Sequence, residues 1–272
     1  MPSVLITGAA RGIGRAAAEH LATRGWDVLA GVRDTATAPA GTTPVLLDVT
    51  NAAHLAALPD ALPARLDAIV NNAGIAIGGP VEGVPVDELR RQLEVNLVGA
   101  IAVTQAVLPK LRESTGRIVF VSSVSGRVAT PMTGVYNASK FGLEGAADAL
   151  RMELSPWGIH VVLVEPAQTD TDMWRKAEET LEADVAKLSE EHRRLYAKHI
   201  AGARKMIPRA QKMASPVAGV VGNIEQALTA RRPRARYVVG AGPKLQAFLA
   251  GHTPTRVLDA ALRAATGVPR KP

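Results

Sequence analysis

Short, almost wholly apolar runs recur along the chain and alternate with longer amphipathic stretches. The runs SVLIT (3–7), DVLAGV (27–32), TPVLLDV (43–49), DAIVNN (67–72), RIVFVSS (117–123), IHVVLVE (159–165) and RYVVG (236–240) have strand length. They are continuous rather than alternating, which suits strands covered on both faces in a parallel sheet. Helical patterns fill 12–24, 85–112, 136–156 and 216–229. Thr133 and Ser215 stand where N-terminal caps or near-caps are expected, and Pro216 suits a first helical position. Strand–helix alternation of this kind predicts one Rossmann-like α/β domain, a doubly wound parallel sheet of about seven strands with right-handed crossovers. The segment 168–215 breaks the rhythm, being rich in charge and Met and free of strand patterns. It would lie above the carboxyl ends of the strands, where open α/β sheets bind ligands. It reads as a helical lid inserted within the domain, 1–272, the alternative being a surface hairpin.

Composition narrows this frame. Apolar residues make up 47% of the 272 but aromatics only 3%, so the core must be built from Ala, Val, Leu and Ile. There is no cysteine, and the six histidines lack HExxH or HxH spacing, so neither disulfides nor a metal site is expected. MPSVLITGAA lacks the basic start of a signal peptide, and no apolar run reaches membrane-spanning length. A soluble cytoplasmic protein is expected. The net charge of +7 has two concentrations, ARRPRARY (230–237) and KHIAGARKMIPRAQK (198–212). Neither interleaves aromatics for base stacking, so nucleic acid is not the expected partner. A solvated face or attraction of a phosphate-rich small ligand fits better.

The first strand runs into TGAARGIGRAAAEHLATRG. Gly8, Gly12 and Gly14 fall at the strand-to-helix turn, where glycine admits close backbone approach. A helix N-terminus there offers free N–H groups and a positive dipole end to a pyrophosphate. With Arg11 and Ile13, this loop predicts a dinucleotide site. The second strand ends AGVRD, placing Val32 and Arg33 where an acid would accept the ribose 2′-hydroxyl. Arg11 and Arg33 favour a 2′-phosphate, hence NADP(H) over NAD(H). Asp34, one residue on, would restore a hydroxyl acceptor if the turn shifts. In GVYNASKFGLEG, Tyr136 and Lys140 share one helix face, and an ammonium beside a phenol favours the phenolate. A proton donor working near neutral pH needs such a shift. Ser122, Ser123 and Ser125 end the preceding strand at the same crevice.

TGAARGIG, LDVT, NNAG, Asn96, SS and YNASK resemble, in order and spacing, the short-chain dehydrogenase/reductase family. The likeness is strong over about residues 3–171. YNASKFGLEG…LRMELSPWGIHVVLVEP looks most like its hydroxysteroid and retinol dehydrogenase branch. The resemblance implies an oxidoreductase acting on CH–OH and C=O groups. Ser123 would hydrogen-bond the substrate oxygen, and Tyr136 would be acid in reduction and base in oxidation. Lys140 would bind the nicotinamide ribose and depress the Tyr136 pKa, and Asn96 would hold a water of a proton relay. Asp48 and Val49 would border the adenine, and Asn72, Ala73 and Gly74 would form the cofactor-side turn. Asn71, Asn72 and Ser122 also admit purely structural readings. Pro166, Thr169 and Thr171 would meet the nicotinamide end or pyrophosphate, with Ala167 departing from the usual glycine. Family relatives commonly pair as homodimers or homotetramers. Val124, Val128, Met132, Val135, Met173 and Trp174 could wall a pocket for a lipophilic carbonyl or alcohol. A nucleotide-sensing relative without chemistry is the competing reading. A serine hydrolase would need GxSxG, which is absent.

Overall fold

The computed structural model describes residues 1–268. Among them, seven strands form one sheet: β1 (Ser3–Thr7), β2 (Asp27–Val32), β3 (Thr43–Leu46), β4 (Ala68–Asn71), β5 (Arg117–Val121), β6 (His160–Glu165) and β7 (Arg236–Val238). Their order is β3-β2-β1-β4-β5-β6-β7 and every neighbouring pair is parallel. Register pairs Leu5 with Leu29 on one side and Ile69 on the other. Parallel neighbours cannot be joined by a tight turn; β2 reaches β3 through a loop with one short helical turn, Thr35–Thr37, and helices make the other crossovers. These are α1 (Gly12–Thr23), α2 (Ala52–Ala57), α3 (Val86–Leu93), α4 (Gly99–Ser114) and α5 (Gly134–Glu153), then α6 (Asp172–Arg175), α7 (Ala177–Ala186), α8 (Glu190–Leu195), α9 (Ala197–Lys212) and α10 (Val217–Thr229). Two more, α11 (Ala241–His252) and α12 (Thr255–Thr266), follow β7.

Continuous apolarity in the strands resolves into a period of two once the faces are separated. Val4, Ile6, Val28, Ala30, Val119 and Val162 pack with Ala17 and Leu21 of α1 and Val220 and Ile224 of α10. The residues between them, Leu5, Leu29, Ile69, Ile118 and Val161, pack with Val103, Val107 and Leu111 of α4 and Leu143 and Ala147 of α5. Burying both faces explains why no polar alternation marks these strands. The chain runs outward from β1 in one direction through β2 and β3, and in the other through β4. The crevice where that order reverses is the expected ligand position.

Several expected boundaries move. The predicted helix over 85–112 is broken by a π-helical turn at Glu94–Val98, which carries Asn96. Thr133 holds the cap position of α5, but its hydroxyl donates to Asn137 Oδ1 (2.8 Å) instead of capping a free amide. Ser215 does not cap α10. Pro216 takes the cap position, while Ser215 pairs with Thr169 in an isolated parallel bridge. Residues 168–215 carry α6 to α9, with a small core of Leu181, Val185, Leu188 and Ile200. No helix among the described residues is long and apolar enough to cross a membrane.

Candidate active site

Where β1 ends, Gly8 adopts φ +67°, and a Cβ there would stand 2.9 Å from Ala73 Cα. Gly14 faces Asn72 Nδ2 and the Gly8 carbonyl so closely that a Cβ would overlap both. The closeness has a purpose. Asn72 and Ala73 amides donate to Thr7 Oγ1 (3.0 Å each), and Asn72 Nδ2 donates to the carbonyls of Thr7 (3.0 Å) and Gly8 (3.2 Å). Thr7 and Asn72 thus brace the two halves of the sheet at the point where strand order reverses. Arg11 offers no side-chain cap to α1, whose first turn holds no acidic residue. Ile13 packs beneath it against the first core. The free amides at this end suit an anion. Thr171 stands across from Gly12, its Cβ 3.6 Å from where a side chain would begin.

Next to this loop, Arg11 and Arg33 are both exposed. Asp34 accepts from Ala36 N (3.0 Å) and so caps its own short turn, Thr35–Thr37. Arg15, which motif reasoning passed over, straps the glycine loop to that turn: Nε donates to Ala10 O (2.9 Å) and Nη2 to Thr37 O (3.0 Å). Asp48 accepts from Thr50 N (2.9 Å) and Oγ1 (2.7 Å). The bond from the Thr50 amide holds its carboxyl below the usual range against partial burial, with Arg33 adding attraction. Val49 is buried and presses on Gly99.

Ser123 ends the loop after β5 in extended backbone; its Oγ accepts from Ser125 N (3.1 Å) and donates to Pro166 O (3.3 Å). It also stands close enough to the half-buried Tyr136 to favour its ionised form. Lys140, one turn along α5, donates to Val121 O (2.9 Å), and its Nζ lies 5.9 Å from the Tyr136 ring centroid. Burial pushes the Tyr136 phenol up, with Ser123 opposing, so the expected lowering by Lys140 is not what dominates here. The ammonium is held by a backbone carbonyl over the ring rather than at the hydroxyl. Burial brings Lys140 itself down to about 8, opposed by Glu144.

Asn96 is buried and fully used: Oδ1 accepts from Ile75 N, Nδ2 donates to Ile75 O (2.9 Å each) and to Ser139 Oγ (3.1 Å). Gln92, absent from the expected set, does the same one helical turn earlier, with Ile77 N (2.8 Å) and Ile75 O (2.9 Å). Gly74 lies against Asn96, 3.4 Å from its Oδ1 to a Cβ position. Asn71 has the structural role, donating to Thr104 Oγ1 (2.8 Å). Pro166 accepts from Val124 N (3.0 Å), and Thr169 and Thr171 are buried, each donating two residues back. Ala167 keeps a negative φ, so glycine's freedom is not required there.

Segment 168–215 is tied to the frame by Asp184, whose Oδ2 accepts from Gly78 N (2.7 Å). Of the expected apolar wall, Val124, Val128 and Val135 are buried, and Met132 joins the core of Leu181 and Ile200. Met173 is 46% exposed at the start of α6, and Trp174 is half-buried. Among the described residues no group of three or more His, Asp or Glu could hold a metal ion.

The sequence profile of the family described as short chain dehydrogenase matches residues 2–182. Retinol dehydrogenase 5 of Mus musculus is 36% identical over 279 residues, covering 95% of this chain and 87% of the relative. An NADPH-dependent 3-dehydrocapnine reductase of Ornithobacterium rhinotracheale is 37% identical over 201 residues, 71% of this chain and 68% of its own. A short chain dehydrogenase of Burkholderia cenocepacia, solved in complex with NADP, superposes with TM-score 0.76 at 25% identity over 98% of each chain. The parallel sheet, the glycine loop after β1 and the serine, tyrosine and lysine at the carboxyl ends of the strands therefore have a common origin: this chain belongs to the short-chain dehydrogenase/reductase family, enzymes acting on alcohol and carbonyl groups.

Proposed function

We propose that the protein is an NADP(H)-dependent oxidoreductase that interconverts a lipophilic secondary alcohol with its ketone, or an alcohol with its aldehyde. The observation that carries this is the approach of Ser123, Tyr136 and Lys140 to one another beside a glycine loop in which Gly8 and Gly14 leave no room for a Cβ. The cofactor's nicotinamide ring, when bound, supplies or takes the hydride. The residues fit it. Gly8, Gly12, Ile13 and Gly14 with the α1 amides would hold the pyrophosphate, and Asp48 and Val49 the adenine. Asn72, Ala73 and Gly74 would border the ribose side, with Pro166, Thr169 and Thr171 toward the carboxamide.

Arg11 and Arg33 stand exposed for a 2′-phosphate, and Asp34 is occupied with its own turn. NADP(H) is therefore the favoured cofactor, with NAD(H) a weaker one. In reduction, Ser123 and Tyr136 would orient the carbonyl oxygen, and Tyr136 would deliver a proton to it. In oxidation the phenolate takes that proton back. Lys140 keeps positive charge over the Tyr136 ring and would engage the ribose hydroxyls, and Asn96 would shape the proton path behind it. Exposed Met173 and half-buried Trp174 suit an apolar substrate under a lid formed by 168–215. Two of the similar proteins are named as a retinol dehydrogenase and an NADPH-dependent 3-dehydrocapnine reductase, which supports a reading as an alcohol or carbonyl oxidoreductase. Exposed Val98, at the end of the π-helical turn, and Phe141, on α5, suit a homodimer or homotetramer; a cytoplasmic location belongs to the same proposal.

The test is a screen of the purified protein with NADPH and with NADH against ketones and aldehydes of graded size. Turnover should be fastest with NADPH and large apolar carbonyls. Preference for polyols or coenzyme A thioesters would overturn the substrate class, and better kcat/KM with NADH the cofactor choice.

A further inference from the structure

Directly beneath Lys140 lies a cluster of charge that the reaction as described does not use. Glu144 follows Lys140 by one turn of α5 and is 5% exposed, and Glu165, at the end of β6, has no exposure at all. Arg236 of β7 reaches both from a single atom: its Nε is 3.2 Å from Glu144 Oε2 and 3.2 Å from Glu165 Oε1. Its Nη2 is 2.5 Å from Asp148 Oδ2. Arg127, in the loop after β5, approaches Glu165 Oε1 at 3.5 Å. Gly126 makes room for the cluster, since a Cβ there would lie 2.9 Å from Glu144 Cγ, 3.1 Å from Ser122 Oγ and 3.1 Å from the Lys140 carbonyl. Ser122 stands close enough to favour ionised Glu144. Even so, Ser122 Oγ, Glu144 Oε1 and Glu165 Oε2 are buried without a hydrogen bond of regular geometry.

Two buried carboxyl groups sharing one guanidinium nitrogen repel each other when both are ionised. The groups facing them are Lys140 and Asp148 from α5, Ser122 and Arg127 from the loop after β5, and Arg236 from β7. Only Lys140 among these belongs to the proposed proton-transfer machinery, and Glu144 favours its charged form.

We propose that Glu144 and Glu165 form a buried carboxyl pair that titrates as a unit, and that Glu144 is a positioning residue setting the charge on Lys140. The inference rests on the catalytic reading of Lys140 given above. When the pair carries its shared proton, less negative charge reaches Lys140. When both ionise, the ammonium is held more firmly. Burial pushes Glu165 up to about 7 and also raises Glu144, which places this change in the range where the enzyme would work.

The experiment follows the Lys140 side chain directly, by the pH dependence of its ¹³Cε resonance in lysine-labelled full-length protein, assigned with Lys140→Met. In Glu144→Gln the Lys140 midpoint should fall by at least about half a unit, because a countercharge about one helical turn away is gone. In Glu165→Gln it should stay or rise, because Glu144 is relieved of repulsion and ionises throughout. The basic limb of kcat against pH should move in the same directions as the resonance. Equal midpoints in wild type and both variants, or shifts of one sign in both, would overturn the proposal. If Glu144→Gln does not fold, the Glu165→Gln arm decides, since a fall in the Lys140 midpoint there contradicts it. Resonance shifts as expected in a protein that turns over no carbonyl would sink the catalytic reading and leave the charge coupling standing.

Discussion

Tyr136 has one atom to contribute, its phenolic proton, so Tyr136→Phe isolates it. The variant should lose at least about 10²-fold in kcat, the scale of general acid–base catalysis. Cofactor affinity, read by fluorescence titration, should hardly change, and near-wild-type turnover would remove Tyr136 from the role. Arg11 and Arg33 belong to a different measurement. Each charge-assisted phosphate contact is worth roughly 1.5–3 kcal/mol, so the double change to Ala should weaken NADPH binding by at least about tenfold while leaving NADH alone. Residues of this kind were legible because motif chemistry constrains them locally: a glycine where no Cβ fits, a phenol and an ammonium four apart. Arg15, Gln92 and Asp184 were not, because the bonds that place them at the site reach Thr37, Ile75, Ile77 and Gly78, 15 to 106 positions away, and nothing in their immediate neighbourhood announces those bonds. The Glu144, Glu165 and Arg236 group was hidden for the same reason, at separations of up to 92.

Among the elements, the turn joining β1 to α1 tolerates the least. A Cβ on Gly14 would meet the Gly8 carbonyl, which cannot rotate away as a side chain would. Gly14→Ala should therefore cost about 1–3 kcal/mol of stability, as overpacking does, and reduce affinity for either cofactor, measured by urea unfolding and titration. A fully stable variant with unchanged affinity would show that the loop gives way. The seven strands were readable because each is a short apolar run, whereas the break at Glu94–Val98 was not. Its apolar spacing resembles an α-helix to within one residue, and a single wider turn leaves too faint a mark in the pattern. Helices α11 and α12 went unread because they follow the final strand, where the alternation offers no further guide.

Across the whole molecule, buried titrating groups couple stability to pH in two opposing windows. Glu165 is raised from 4.5 to about 7, so the native state holds a proton that the unfolded chain has released. Stability should fall as pH rises through that window, and Glu165→Gln should flatten the slope. Lys140 is lowered from 10.5 to about 8, so there the unfolded chain holds the extra proton, and stability should recover as pH rises from about 8 towards 10.5. A urea midpoint that climbed steadily from pH 5 to 7 would contradict this. The excursion 168–215 has a quieter consequence. Its neck is stitched by Ser215 N to Gln168 O and Asp170 N to Ser215 O, 2.9 Å each, so the chain leaves and returns at one point. A loop whose ends already meet costs the frame little when it lengthens, since closure entropy grows only slowly with length. Changes of length at the exposed surface of α8 and α9 should then leave the sheet in place, whereas Thr171 and Asp184, which face Gly12 and Gly78, bind the excursion to the crevice and should not be exchangeable.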